Sequence, residues 1–191
     1  MKSGLKIYQF VIFNRNYVLN RDRNTQIIQQ AQELNSLLLA NNIRPVFLKG
    51  TGNLLEGLYE DVGERMVGDI DFLFSEEDFF KAIDILKKDN YSKSESELDY
   101  FQGFRHYSRL VKPANIAAVE IHKEVTIERY RGEFNYEMIS KDTQLINDFL
   151  IMSFEKTTDC SRYLLDNPQY KVAGIVNNII LRSNKNVQFW I

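Results

Sequence analysis

The chain has 191 residues, of which 44% are apolar, 13% aromatic and 26% charged, enough for one sizeable domain or a domain plus a small helical extension, of ordinary soluble composition. Its net charge of −2 supplies no long-range attraction for nucleic acid, its single cysteine, Cys160, excludes an internal disulfide and fits a reducing compartment, and no run approaches the ~20 apolar residues of a membrane helix. Lys2 and Lys6 flank an apolar patch ending at Phe13, but no small-residue cleavage site follows, so a signal peptide is rejected and the cytoplasm is the expected compartment.

Leu5 to Phe13 fits a strand or the start of a helix, and Asn14 to Arg23 is polar and reads as a connection. From Thr25 to Ala40 the apolar residues Ile27, Ile28, Ala31, Leu34, Leu37 and Leu38 recur at helical spacing, and Asn41-Asn42 stop the helix. Arg44 to Leu48 is a short strand with Pro45 near its start, where a missing N–H is tolerated. Lys49-Gly50-Thr51-Gly52 then makes a glycine turn into a short helix over Asn53 to Tyr59. Such a turn is either a plain strand-to-helix connection or a place where a phosphate meets unpaired N–H groups.

Glu60 to Glu64 is a polar turn, and Arg65 precedes the most unusual stretch, Val67-Gly68-Asp69-Ile70-Asp71-Phe72-Leu73-Phe74. Its β-branched and aromatic residues at a period of two read as a strand. Residues i and i+2 share a face, so Asp69 and Asp71 project together with α-carbons roughly 7 Å apart, while Ile70, Phe72 and Phe74 turn into a core. Two carboxylates side by side repel unless a cation lies between them, and a divalent ion, Mg²⁺ or Mn²⁺, is the natural candidate.

Ser75 caps a helix whose buried face is Phe79, Phe80, Ile83 and Leu86 and whose end carries Lys87-Lys88. Ser92 to Asp99 reads as a loop, Phe104 to Val111 and Ile116 to His122 as strands joined by a turn at Lys112-Pro113-Ala114-Asn115. Glu120 stands in the middle of an otherwise apolar strand, where an acid is costly unless paired or on a metal. If this strand lies beside the Asp69 strand, about 4.8 Å away, three carboxylates converge. His122 and His106 read as structural or supporting residues, without the close spacing of a metal-ligand pair. Arg129-Tyr130-Arg131-Gly132 reads as loop, and Asp142 to Phe154 and Tyr170 to Leu181 as helices before an apolar end, Asn186 to Ile191.

The ordered set Phe47-Leu48-Lys49-Gly50, Leu58-Tyr59 with Asp61, Arg65, Asp69-Ile70-Asp71-Phe72-Leu73 and Val119-Glu120-Ile121-His122 resembles the bacterial uncharacterised nucleotidyltransferase family, part of the polymerase-beta-like nucleotidyltransferase superfamily. The resemblance covers roughly residues 25 to 125 and implies an α+β fold, a mixed sheet flanked by helices. Residues 1–125 would be the nucleotidyltransferase core and 126–191 a mostly helical C-terminal extension, shorter than the substrate region that family members commonly carry. It implies Asp69, Asp71 and Glu120 as catalytic metal ligands for Mg²⁺ or Mn²⁺, and Lys49, Gly50, Thr51 and Arg65 as residues that bind a nucleoside triphosphate such as ATP. Lys49-Gly50 stands where the wider superfamily has Gly-Ser, with Thr51 as a substitute hydroxyl. The implied activity is transfer of a nucleoside monophosphate to a hydroxyl of a small molecule or protein. A catalytically inactive nucleotide-binding or protein-interaction module, and a toxin–antitoxin component, are the alternatives; the slightly acidic charge argues against a nucleic-acid polymerase.

Overall fold

The structure, a computed structural model, describes residues 2–94, 105–125 and 134–152, with side chains in the first helix from residue 15 onward. The expected loop at 129–132, the helix at 170–181 and the C-terminal stretch at 186–191 lie outside these residues. The compact unit containing the described residues ends at Met152.

The chain opens on one long helix, α1 (Lys2–Ala40). The expected connection at residues 14–23 is helical because it contains neither Gly nor Pro, and its polar side chains are used on the protein's own backbone. Arg23 donates to the carbonyls of Val67 (2.9 Å), Gly68 (2.9 Å) and Ile116 (3.3 Å). Asn24, fully buried, donates to the carbonyls of Val62 and Arg65 (both 2.5 Å) and accepts from the Val67 N–H (3.2 Å). Further along, Ile27, Ala31, Leu34 and Leu38 form the expected buried stripe.

Next come β1 (Val46–Phe47), α2 (Lys49–Glu56), β2 (Asp69–Leu73) and α3 (Glu76–Lys88). Helix α2 begins four residues earlier than expected and ends at Gly57, whose φ of 72° makes the left-handed stop. Helix α3 follows its sequence signals at its ends, where the Ser75 hydroxyl accepts from the Asp78 N–H at 3.1 Å, acids fill the first turn and lysines the last. Its buried face, however, is Phe79, Ala82, Ile83 and Leu86, and Phe80, one residue off that stripe, is exposed rather than buried as expected.

The remaining strands are β3 (Ser92–Lys93), β4 (Leu110–Val111) and β5 (Ala118–His122), then helix α4 (Tyr136–Lys141) and the hairpin β6 (Thr143–Ile146) and β7 (Phe149–Met152). The expected strand over 104–111 is reduced to β4 and an isolated bridge between His106 and His122. The expected helix over 142–154 is a hairpin instead. Asn147 and Asp148 both take left-handed conformations (φ 47° and 70°), the two-residue turn that matches strand twist, and the continuous apolar run Phe149–Met152 forms the strand that reaches β1.

The seven strands run in the order β3-β4-β5-β2-β1-β7-β6. Two neighbouring pairs are parallel, β2 with β5 and β1 with β7, and the rest antiparallel, so the sheet is mixed as expected. Because β7 pairs with β1, residues past 125 belong to the same sheet as the Asp69 strand. Ile70, Phe72, Phe47 and Ile151 join residues of α1 and α3 in one apolar cluster, in which Phe47 packs edge-on against Phe72 (4.8 Å) and Phe149 (5.2 Å). This core holds the two central strands rigidly enough to aim their other faces.

Candidate active site

Parallel pairing of β2 with β5 sets Asp71 opposite Glu120, Asp69 opposite Ala118 and Leu73 opposite His122. Alternation then places Asp69, Asp71, Glu120 and His122 on one face, so the three expected carboxylates do converge. Asp71 is only 2% exposed.

Each acid has a basic partner. Lys49 Nζ donates to Asp71 Oδ1 at 2.5 Å and lies 3.9 Å from Glu120 Oε2. The His122 Nε2–H donates to the same Asp71 Oδ1 at 2.8 Å, and the ring nitrogen lies 3.6 Å from the same Glu120 Oε2. Arg109 takes the other oxygens: it donates to Glu120 Oε1 at 2.7 Å and to Asp69 Oδ2 at 3.2 Å. Asp69 and Glu120 are shifted in opposite directions. Burial, then the charges of Asp71 and Glu120, push the Asp69 carboxyl above its usual range. The His122 ring, together with the guanidinium of Arg109, holds Glu120 well below its usual range, and the 2.7 Å Arg109 contact is the firmer of the two.

The nucleotide-binding residues expected from the sequence divide between roles. Lys49, not a glycine, takes the left-handed conformation at the start of α2 (φ 50°). Gly50 and Gly52 instead allow the protein to approach itself: a β-carbon on Gly52 would lie 3.1 Å from the Phe47 carbonyl oxygen, and one on Gly50 3.3 Å from Val67. Thr51 is fully buried and its hydroxyl donates to the Asp69 carbonyl at 2.7 Å, which braces the acidic strand from α2. Arg65 is half-buried in the loop that Asn24 anchors, and its guanidinium has no hydrogen bond or ion pair with a described residue. His106 donates from Nδ1 to the Tyr107 carbonyl (2.9 Å), and its ring lies 5.1 Å from that of His122.

Sequence reasoning missed Arg109, Arg23 and Asn24. Arg109 carried a signal in its place one residue before an apolar strand that pairs with the strand of Glu120. Arg23 ends the polar stretch that reads as a connection, and Asn24 stands between that stretch and the helical pattern from Thr25, where no sequence signal marks it.

The donor set fits a divalent cation. Asp71, Glu120 and His122 each offer a ligand atom, all within 4.8 Å of one another, and Asp69 stands two residues along the same strand face. Among the described residues no helix is long and apolar enough to cross a membrane.

A family model described as uncharacterised nucleotidyltransferase matches residues 12–157. A crystal structure from Thermotoga maritima, of a protein provisionally described as a nucleotidyltransferase, superposes with a TM-score of 0.54 at 15% identity, covering 83% of this chain and 95% of that one. That likeness is one of fold. No curated protein matches the chain.

Proposed function

The chain belongs to the uncharacterised nucleotidyltransferase family, and from that premise we propose that it moves a nucleoside monophosphate from a nucleoside triphosphate to a hydroxyl of a small-molecule or protein acceptor. The observation that carries the reading is the register of β2 and β5, which sets Asp71 directly across from Glu120 with His122 beside them.

The residues divide the work as follows. Asp71, Glu120 and His122 would hold one divalent ion, and Asp69 with Asp71 a second. Mg²⁺ or Mn²⁺ bound there supplies positive charge that offsets the charge of the α-phosphate, the attacking oxygen and the leaving pyrophosphate. The first turn of α2, with Gly50, presents backbone N–H groups toward phosphate oxygens. Lys49 and the unengaged Arg65 add cationic contacts to the triphosphate. Thr51 supports this arrangement from behind, by fixing the Asp69 carbonyl. The reading takes the cytoplasm as the compartment, and a triphosphate and a small-molecule or protein acceptor as partners; the net charge of −2 supports it over a nucleic-acid substrate.

Incubation with triphosphates labelled at the α-phosphate, Mg²⁺ or Mn²⁺ and a cell extract tests the reading. Label should appear on an acceptor with wild-type protein and be absent with Asp71→Ala. Equal labelling by the two proteins would end the assignment.

The closed set of ion pairs favours one second reading, a nucleotide-binding module that no longer turns over. Calorimetry with Mg²⁺ and each triphosphate separates the two, because the module binds tightly and yields no product.

A further inference from the structure

Resting on the reading that this cleft holds a divalent ion, we propose that Lys49 is an internal counter-ion which the metal displaces, and that the freed ammonium moves onto the phosphates of the incoming triphosphate.

The argument begins with which oxygens are contested. Lys49 Nζ sits against Asp71 Oδ1 and 3.9 Å from Glu120 Oε2. These are the two oxygens that His122 Nε2 also faces, at 2.8 and 3.6 Å. An ion held by Asp71, Glu120 and His122 through these atoms takes its ligands at about 2.0–2.2 Å. It would then lie within a few ångströms of the ammonium, and both cations would draw on the same lone pairs. Metal and Lys49 therefore exclude each other. Arg109 does not stand in the way, because it uses Glu120 Oε1 and Asp69 Oδ2. It can stay in place while Lys49 leaves.

Lys49 is also built to move. Its side chain is 48% exposed, and Asp71 and Glu120 are its only ion-pair partners among the described residues. Once it is released, nothing else on the described surface holds it. Its backbone stands at the start of α2 in a left-handed conformation that a residue with a β-carbon adopts only under constraint. A helix start is an unfavourable place for a cation and a favourable one for phosphate. The ammonium is thus held at the mouth of the phosphate site by the very carboxylates the metal needs. Metal alone must compete with it, whereas a metal with its triphosphate offers it a new anion.

The test measures Mn²⁺ binding in the absence of nucleotide, by the electron paramagnetic resonance signal of free Mn²⁺, for wild type, Lys49→Met, Lys49→Gln and Asp71→Asn, with melting curves to confirm folding. Both Lys49 variants should bind Mn²⁺ about tenfold more tightly than wild type, the effect of removing one charged competitor. At saturating Mn²⁺ they should bind a non-hydrolysable triphosphate more weakly than wild type. Unchanged or weaker Mn²⁺ binding by the Lys49 variants, with Asp71→Asn abolishing it, overturns the counter-ion role and leaves the metal site standing. Failure of wild type and both Lys49 variants to bind Mn²⁺ at millimolar concentration overturns the metal reading and this inference together. Tighter Mn²⁺ binding with undiminished triphosphate affinity overturns the transfer of Lys49 to the phosphates.

Discussion

The sheet contains two parallel strand pairs, and only one of them carries charge. β1 and β7 set Val46 beside Leu150 and Phe47 beside Ile151, apolar on both faces. β2 and β5, one strand over, set Ile70 beside Val119 and Phe72 beside Ile121 on the core face, but Asp71 beside Glu120 on the other. The backbone arrangement is the same. What differs is that the second pair holds carboxylates against their mutual repulsion, using Lys49, Arg109 and His122. The apolar pair buries side chains on both faces; the charged pair buries them on the core face and gathers carboxylates with their basic partners on the other.

Breaking the two pairs should therefore have separable results. The largest expected effect is on chemistry. Asp71→Asn should lower labelled-nucleotide transfer by about a thousandfold or more while circular dichroism shows the fold intact. Next is the apolar pair. Ile151→Ala, at a fully buried position on β7, should reduce stability in urea by roughly 2–5 kcal/mol and leave transfer per folded molecule unchanged. Gly52→Ala also bears on the apolar pair, since its β-carbon would lie 3.1 Å from the Phe47 carbonyl oxygen of β1 and 3.4 Å from Ile151 of β7. A loss of about 1–3 kcal/mol is expected.

The smallest effects sharpen the comparison within the charged pair, because Asp69 and Glu120 have opposite signs. The Glu120 pKa is depressed on folding, so its contribution is present above the ordinary value of 4.5 and is lost as the pH falls toward the folded value. Glu120→Gln should lower the melting temperature at pH 7, and the gap to wild type should close on acidification. The Asp69 pKa is raised on folding, so its contribution is present below 3.8 and is lost as the pH rises through the folded value. Asp69→Asn should raise the melting temperature at pH 7. Both shifts should correspond to no more than about 1 kcal/mol, given partial exposure.

The charged pair was legible in the sequence because acids on an apolar strand are anomalies, and anomalies stand out against a period of two. Asp69, Asp71 and Glu120 each broke a rule that Ile70, Phe72 and Ile121 obeyed. The β6–β7 hairpin broke none visible to a pattern. Leu145, Phe149, Ile151 and Met152 fit a helical period nearly as well as a strand, and what decided between them was the left-handed turn at Asn147-Asp148 and pairing with the distant β1. Arg23 was placed in a connection, and Asn24 passed over, for a related reason. Polarity tells that a side chain seeks hydrogen bonds, not whether water or the backbone of Val62 to Val67 supplies them. The glycine turn was found for a reason that proved incomplete, since its glycines admit Phe47 and Val67 while the left-handed residue is Lys49.

The most direct test is a crystal of the protein grown with Mn²⁺ and a non-hydrolysable nucleoside triphosphate, with data collected to locate manganese by its anomalous scattering. The account predicts a manganese peak between Asp71 and Glu120 within coordination distance of His122, with Lys49 turned from Asp71 onto the phosphates. Nucleotide bound elsewhere, or manganese absent from these carboxylates while Lys49 still pairs with Asp71, would contradict it.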